Sequence, residues 1–124
     1  MVNTLNWFEI PATDFARAIA FYATVLDAPI HVDPRPHMQY AYLPSDTQKG
    51  GFGGAIASGE NFAPAMTGTT VYLDGGNDLS VALGRVESAG GTIILPKTGI
   101  GGNRGFIALF IDTEGNKVGF HSIG

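Results

Sequence analysis

The sequence contains no cysteine, which excludes a disulfide framework, thiolate zinc sites and a cysteine nucleophile. Charged residues are also scarce, at 15% of the 124 residues, compared with the ~25% usual for globular proteins. The net charge is −4, and the lysines and arginines do not cluster. Such a chain lacks the basic surface that binds nucleic acids or anionic membranes. We therefore expect no nucleic acid and no membrane as partners.

Long apolar runs and a targeting segment are lacking too. The longest apolar stretches, such as Phe106–Ile111, are far shorter than the roughly 20 residues of a membrane span. The first six residues show neither the basic region nor the hydrophobic region of a signal peptide. These absences predict a cytoplasmic protein.

Hydrophobic residues and glycines are what the chain has in quantity. Hydrophobic residues make up 44% of the sequence, with 8 Phe, 4 Tyr and 1 Trp, which is enough for one hydrophobic core at this length. The 18 glycines fall mostly in pairs between apolar runs, a pattern that favours many tight turns in a β-rich fold. We therefore expect a single domain.

One pattern occurs twice along the chain. Residues 5–32 predict a strand, a helix capped by Asp14 and a second strand after Pro29. Residues 69–96 predict the same order, with Asp78 as the helix cap, Gly90 at the helix end and Pro96 closing the strand. In both helices the apolar residues recur at helical spacing: Phe15, Ala18, Ile19, Tyr22 and Leu26 in the first, and Leu79, Ala82, Leu83 and Val86 in the second.

Two further strands are predicted after each copy. They are Met38–Leu43 and Gly53–Ala57 in the first half, and Phe106–Ile111 and Lys117–Ser122 in the second. Each half therefore has the order βαβββ, with the first module at about 1–58, a connector at 59–67 and the second module at 68–124. The predicted fold class is α+β: two modules whose mixed sheets form an open, curled barrel with a cleft, and clefts bind small molecules.

These segments resemble the glyoxalase/bleomycin resistance/dioxygenase (vicinal oxygen chelate) superfamily over nearly the whole chain. The first half resembles the opening of a module in this family, with Trp7–Pro11 followed by Asp14, Arg17-Ala18, Phe21-Tyr22 and Val25-Leu26. Gly54-Ala55-Ile56 resembles its last strand, and residues 70–74, 78–79 and 90–91 resemble the second opening. The turn 112–116 is similar to a D-P-E-G-N turn, with Thr113 in place of Pro. This fold hosts many activities, so the resemblance specifies the fold more closely than the function.

The resemblance implies metal-ligand positions that this chain does not fill. In the family's enzymes a divalent metal is bound by a His on the first strand and a Glu on the last strand of each module. Matching the strands places these positions at Trp7, Gly68, Gly54 and Gly119, and none of these side chains can coordinate a metal. We therefore predict no cofactor, with a divalent metal as the alternative.

A displaced site is the alternative for the chemistry. Because strand side chains alternate, Glu9 shares a face with Trp7, and His121 shares a face with Gly119. Glu9 and His121 are the two candidate catalytic residues, as base or ligand. The alternatives are that Glu9 pairs with Arg17, Lys97 or Arg104 or faces solvent, and that His121 bonds to backbone or solvent. His31 and His37 lie in an irregular, proline-containing segment that does not favour metal binding.

Five further residues are candidates for ligand binding. Trp7 suits a pocket wall, and Tyr40 and Tyr42 could orient a ligand from one strand face, or lie on a solvated or dimer surface. Lys97 and Arg104 flank a glycine-rich loop and could meet an anionic group, or could be ordinary exposed charges.

Three functions follow from these observations. The first is a small-molecule-binding protein, or an enzyme, without the usual metal site. The second is a metal-dependent lyase, isomerase or dioxygenase of the glyoxalase type. The third is a non-catalytic drug-binding (resistance) protein, for which the resemblance implies cationic drugs bound at a dimer interface. The resemblance implies a homodimer in all three cases.

Overall fold

The computed structural model describes residues 3–124 and contains two successive modules. The elements of the first are β1 (Trp7–Pro11), α1 (Phe15–Leu26), β2 (His31–Val32), β3 (Gln39–Tyr42) and β4 (Gly53–Ser58), with a 3-10 turn at Thr47–Lys49 before β4. The elements of the second are β5 (Tyr72–Asp74), α2 (Ser80–Leu83), β6 (Thr92–Gly99), β7 (Phe106–Ile111) and β8 (Lys117–Ser122). Within residues 3–124, no helix has both the length and the apolar character needed to cross a membrane.

Each module forms its own four-stranded mixed sheet. The strand orders are β1-β4-β3-β2 and β5-β8-β7-β6. In both sheets the first strand of the module runs parallel to the last, and the remaining pairs are antiparallel. The two sheets do not close into a barrel. This confirms the predicted α+β fold of two βαβββ modules with an open, curled arrangement.

The first helix has the predicted capping residue. An Asp14 side-chain oxygen accepts a hydrogen bond from the Arg17 amide at 3.1 Å, which satisfies one of the free amides of the first turn. The helix ends at Asp27, whose backbone is left-handed with φ of 51°, a conformation that aspartate tolerates better than most residues.

The second helix is shorter than the sequence predicted. Only Ser80–Leu83 is α-helical, and residue 79 occupies the cap position without a side-chain hydrogen bond. Hydrogen-bonded turns continue to Gly91. Gly84 follows the helix directly, and glycine weakens a helix relative to alanine by about 1 kcal/mol. The predicted apolar stripe is nevertheless buried, comprising Leu79, Ala82, Leu83 and Val86.

The strand expected to close at Pro96 also differs, because β6 continues to Gly99. Its pairing with β7 shifts register between Ile93 and Leu95 and again between Leu95 and Thr98. Proline cannot donate to a strand ladder, and such irregularities are where a sheet can contain one.

The two modules share one hydrophobic core. One face of each sheet packs against the helices, and the Phe21 ring of α1 lies 5.9 Å from the Phe110 ring of β7. The residues of this core come from both modules, and the largest fully buried side chains are Tyr22, Phe21, Phe110, Phe120, Ile56, Leu79, Val25 and Val86. The opposite face of each sheet is not covered by these helices and is available for other contacts.

The turn at residues 112–116 joins the modules through polar contacts. Asp112 is 4% exposed and accepts a hydrogen bond from the Tyr22 hydroxyl of α1 at 2.6 Å. It also accepts from the amides of Glu114 and Asn116. Asn116 in turn donates to the Pro11 carbonyl at 2.8 Å. Burial, followed by the Asp112 charge, raises the pKa of Tyr22 well above its ordinary value, so this phenol remains a donor.

Glu114 extends the same turn to the start of α1. Its carboxylate accepts from the amides of Thr13 and Asp14 at 2.9 and 2.6 Å and from Arg17 at 2.7 Å. The Glu114 side chain is 0% exposed. Burial raises its pKa, but the bonds from Arg17 and the Asp14 amide outweigh burial, so the pKa lies below its ordinary value.

This lowered pKa predicts a loss of stability in acid. Since folding lowers the pKa of Glu114, its stabilising contribution is complete above the ordinary value of 4.5 and disappears as pH falls through the folded-state pKa. We expect the free energy of unfolding, measured by urea titration, to fall as the pH drops below the ordinary value of 4.5 and through the lowered pKa of Glu114. Glu114→Gln should flatten that decline, whereas Glu60→Gln, at an exposed carboxylate, should not. Equal declines in the two variants would contradict this role for Glu114.

Candidate ligand-binding site

Two cavities lie at the boundary between the two modules, which we call the seam. β1 and β5 are each the edge strand of their sheet. Residues of β1 line both cavities, and residues of β5 line the larger of the two. Val71, just before β5, lines both of them. The cavities therefore lie along one boundary, where the duplicated units meet.

The larger cavity, which we call the seam cavity, has a volume of about 520 Å³. This lies within the range of roughly 300–1,000 Å³ typical of small-molecule sites. Most of its wall is apolar and comes from both modules, comprising Leu5, Phe8, Leu26, Leu43, Pro44, Phe52, Gly53, Gly54, Val71, Tyr72, Leu73, Asp74 and Gly76. Asp74 supplies a carboxylate, one oxygen of which accepts from the Gly76 amide at 2.8 Å. The arrangement can enclose an apolar molecule and present an acidic group at one place.

The smaller cavity, of about 190 Å³, contains Glu9. The other wall residues are Ile10, Pro11, Ala63, Ala65, Thr67, Thr69, Val71, Asn116, Lys117 and Val118. The predicted connector thus forms part of this wall, and it is tied to β8 because the Ala65 carbonyl accepts from the Lys117 amide at 3.3 Å.

Four predicted site residues lie together on the open face of the first sheet. The Trp7 indole donates to the Tyr40 hydroxyl at 2.9 Å, and that hydroxyl donates to Glu9 at 2.7 Å. The Tyr42 ring lies 6.0 Å from Trp7 and 5.7 Å from Tyr40, in edge-to-face geometry. We call Trp7, Glu9, Tyr40 and Tyr42 the aromatic face. Burial and then the bond to Glu9 raise the pKa of Tyr40, so the hydroxyl remains a donor.

The proline-containing segment before β3 also contributes to this face. The Arg35 guanidinium lies 3.8 Å from the centre of the Tyr40 ring and pairs with Asp33 at 3.2 Å. Asp33 accepts from the Tyr42 hydroxyl at 2.6 Å. That bond and the one from Arg35 lower the pKa of Asp33. Sequence reasoning missed Arg35, although the hairpin between β2 and β3 was a signal that residues 33–35 return beside Tyr40.

His121, Lys97 and Arg104 belong to the second sheet and its loop. A His121 ring nitrogen bonds to the Arg104 carbonyl at 2.7 Å, and the Arg104 side chain donates to the carbonyls of Gly101 and Ile100. Lys97 pairs with Asp78 at 2.9 Å and lies 4.4 Å above the Phe106 ring. Lys97, and then the Ser80 amide, lower the pKa of Asp78 to about 2.

Glu9 and His121 therefore have separate partners. Glu9 bonds to Tyr40, whereas the three cations considered for it by sequence pair with Glu114, Asp78 and loop carbonyls. Within residues 3–124, the side chains of Glu9 and His121 form no hydrogen bond or ion pair with each other. Their proposed joint role has no direct geometric support.

Strand register shows which residues lie opposite the matched metal-ligand positions in the two sheets. Trp7 lies opposite Gly53, and Gly54 lies opposite Phe8, which packs against the core that contains the α1 residues. Gly119 lies opposite Tyr72, whereas Gly68 precedes β5 in a loop. A Cβ atom on Gly119 would lie 2.4 Å from the Tyr72 ring, so the absence of a side chain there makes room for this aromatic residue.

The paired residues Trp7 and Gly53, and Tyr72 and Gly119, do not fit the family's metal centre. An indole, two glycines and a phenol replace the imidazole and carboxylate ligands that such a centre uses. In the described part of the chain, no three His, Cys, Asp or Glu side chains form a group that could hold a metal ion. The arrangement offers aromatic and apolar contacts instead.

A family comparison agrees with the fold. The sequence profile of the Glyoxalase/Bleomycin resistance protein/Dioxygenase superfamily matches residues 4–120. The chain belongs to this superfamily. No curated protein sequence gives a significant match to the superfamily member described here.

Solved structures resemble this superfamily member at low sequence identity. Glyoxalase I from Zea mays has 20% identity and a TM-score of 0.70, covering 96% of this chain but 46% of its own. A glyoxylase/bleomycin resistance protein/dioxygenase domain from Frankia sp. EAN1pec has 16% identity and a TM-score of 0.68, with 98% and 93% covered. The fosfomycin resistance protein FosX from Listeria monocytogenes has 13% identity and a TM-score of 0.64, with 98% and 92% covered. The chain thus spans about half the length of the maize protein, and these likenesses show the fold alone.

Proposed function

We propose that this superfamily member binds a small, mainly apolar molecule in the seam cavity and does so without the family's usual metal site. The observation that carries this proposal is the volume of about 520 Å³ enclosed by residues of both modules. Apolar walls with a few polar groups are typical of small-molecule sites. The lack of His or Glu at the family's ligand positions supports the second part.

The chemistry of the wall indicates the kind of ligand. Phe8, Leu43 and Val71 provide apolar contact, and burying apolar surface supplies about 25 cal/mol per Å². Asp74 supplies an acidic group that favours a neutral or cationic ligand over an anionic one. Recognition therefore rests on shape and apolar contact, with the carboxylate selecting charge.

Binding of a neutral fluorescent probe tests this site. Phe52 lines the seam cavity and is 47% exposed, so its replacement should not remove core packing. We expect wild type to bind N-phenyl-1-naphthylamine with enhanced emission and Phe52→Ala to bind it about ten-fold more weakly. Losing roughly 50 Å² of apolar contact at ~25 cal/mol per Å² corresponds to about that factor. The measurement is a fluorescence titration.

Val32→Ala is the matched control, because Val32 is 57% exposed on β2, away from the seam. It should bind the probe as wild type does. Equal weakening in both variants, or no saturable binding to wild type, would reject the seam cavity as the site. Stoichiometric metal in protein purified without an affinity tag or chelator, measured by mass spectrometry, would reject the metal-free part and support the metal-dependent alternative.

A further inference from the structure

The aromatic face holds a cation that the chain itself provides. The Arg35 guanidinium stacks 3.8 Å from the centre of the Tyr40 ring, a geometry in which a cation is attracted to the face of an aromatic ring. Its edge is paired with Asp33 at 3.2 Å and donates to the Tyr42 hydroxyl at 3.4 Å. One guanidinium is thus recognised at both its flat surface and its edge.

Arg35 also explains the burial of Tyr40. The open side of this sheet is not covered by a helix, yet Tyr40 is 3% exposed. Met38, Tyr42 and Phe62 surround this small cluster, and the stacked guanidinium covers the ring. Without Arg35, we expect the face of the ring to become accessible to solvent.

The contact can be displaced because it lies at the surface. The Arg35 and Asp33 side chains are 37% and 34% exposed, and ion pairs with such exposure contribute little to stability. The segment that presents Arg35 is bracketed by Pro34 and Pro36, which restrict its backbone. The Asp33 amide further ties it to the Tyr40 carbonyl at 2.8 Å. The backbone is therefore fixed while the arginine side chain can leave.

We propose that the aromatic face is a recognition site for small organic cations bearing a guanidinium group, and that Arg35 occupies it when no such ligand is bound. Tyr40 supplies the stacking surface and Asp33 the acceptor for the N–H groups. Glu9, bonded to the Tyr40 hydroxyl at 2.7 Å, adds a second carboxylate beside one resident cation, and this charge favours an incoming cation. The seam cavity is lined by other residues, so this site is independent of the function proposed above.

Removing Arg35 tests the proposal directly. Trp7 is the only tryptophan in the sequence, and its indole bonds to Tyr40, so intrinsic fluorescence reports on this face. Each protein is titrated with methylguanidinium chloride, with potassium chloride at equal ionic strength as reference. We expect Arg35→Ala and Arg35→Gln to bind methylguanidinium about ten-fold more tightly than wild type, because the internal competitor is gone.

Arg85→Ala is the matched control, since the Arg85 side chain is 36% exposed and bonds to the Val25 carbonyl. It should respond as wild type. In the Arg35→Ala background, Tyr40→Leu should abolish saturable binding, whereas Tyr40→Phe, which keeps the ring, should retain it. Circular dichroism checks that each variant is folded.

Two results would overturn the proposal. One is equal affinity in wild type, Arg35→Ala and Arg35→Gln, which would mean that Arg35 does not compete for the site. The other is saturable binding that survives the loss of the Tyr40 ring. Binding of N-phenyl-1-naphthylamine is measured separately, so failure of the cation site is distinguishable from failure of the seam cavity.

Discussion

Phe110→Ala is expected to lower the free energy of unfolding by about 3–5 kcal/mol, the cost typical of emptying a buried phenylalanine site. Phe110 is 0% exposed. Its ring lies 5.1 Å from Phe120 in the same sheet and 5.9 Å from Phe21 in the other module. Truncation therefore removes contacts on both sides of the module boundary and leaves a cavity between them.

The effect of Phe110→Ala on each module tests whether the two modules unfold together. Trp7 fluorescence reports on the first module, and far-ultraviolet circular dichroism reports on the whole chain. In urea titrations of Phe110→Ala, we expect both signals to move to the same lower midpoint, because the two modules share one core. Ile94→Ala, at a residue that is 45% exposed in the second module, should shift the midpoint much less.

Separate transitions would contradict the shared core. If circular dichroism moved while Trp7 fluorescence kept the wild-type midpoint, the first module would be stable without the second. The contact between Phe21 and Phe110 would then contribute little to holding the modules together.

Asp112→Ala is expected to lower the free energy of unfolding by about 3–4 kcal/mol, because several buried donors lose a charged acceptor at once. Asp112 accepts hydrogen bonds from the Tyr22 hydroxyl, the amides of Glu114 and Asn116, and the Asn116 side chain. Tyr22 is 0% exposed, so its hydroxyl would have no access to solvent as a replacement. The measurement is the urea-unfolding free energy at pH 7.

A double-mutant cycle separates the contact between modules from the local turn. Tyr22→Phe alone should cost about 1–2 kcal/mol, but it should cost far less in the Asp112→Ala background because the shared hydrogen bond is already lost. Glu87→Ala is the control at an exposed carboxylate, and its effect should be much smaller. Additive losses from Tyr22→Phe and Asp112→Ala would show that their bond does not couple the modules.

The sequence predicted the elements closely where local signals agreed. Asp14 was identified as a cap because its side chain precedes an apolar stripe at helical spacing, and Phe106–Ile111 and Lys117–Ser122 have the predicted bounds. The predicted second helix was too long. The apolar stripe through Val86 indicates which residues are buried, and the turns after Gly84 bury the same residues without an α-helix. Hydrophobic periodicity therefore indicates which residues are buried more reliably than it indicates the backbone conformation of the segment.

The candidate site was predicted in part. Alternation along β1 and β3 placed Trp7 with Glu9 and Tyr40 with Tyr42, and the structure brings these four together through hydrogen bonds and aromatic ring contacts. Glu9 and His121 lie in different sheets and have separate hydrogen-bond partners. Alternation along a strand predicts which of its side chains share a face, but not how far they lie from a residue in another strand. Phe52 and Asp74 were not identified as wall residues because their meeting depends on how the modules pack.

The duplicated βαβββ order and the turns between elements follow from local sequence signals, since these depend on neighbours a few residues apart. Three features depend on how the folded chain packs: Arg35 stacks on Tyr40, Asp112 accepts from Tyr22, and Phe52 and Asp74 line one cavity. Asp112 and Tyr22 are 90 residues apart in the chain. Contacts between modules follow from the packing of two complementary surfaces, and that packing is a property of the folded chain as a whole.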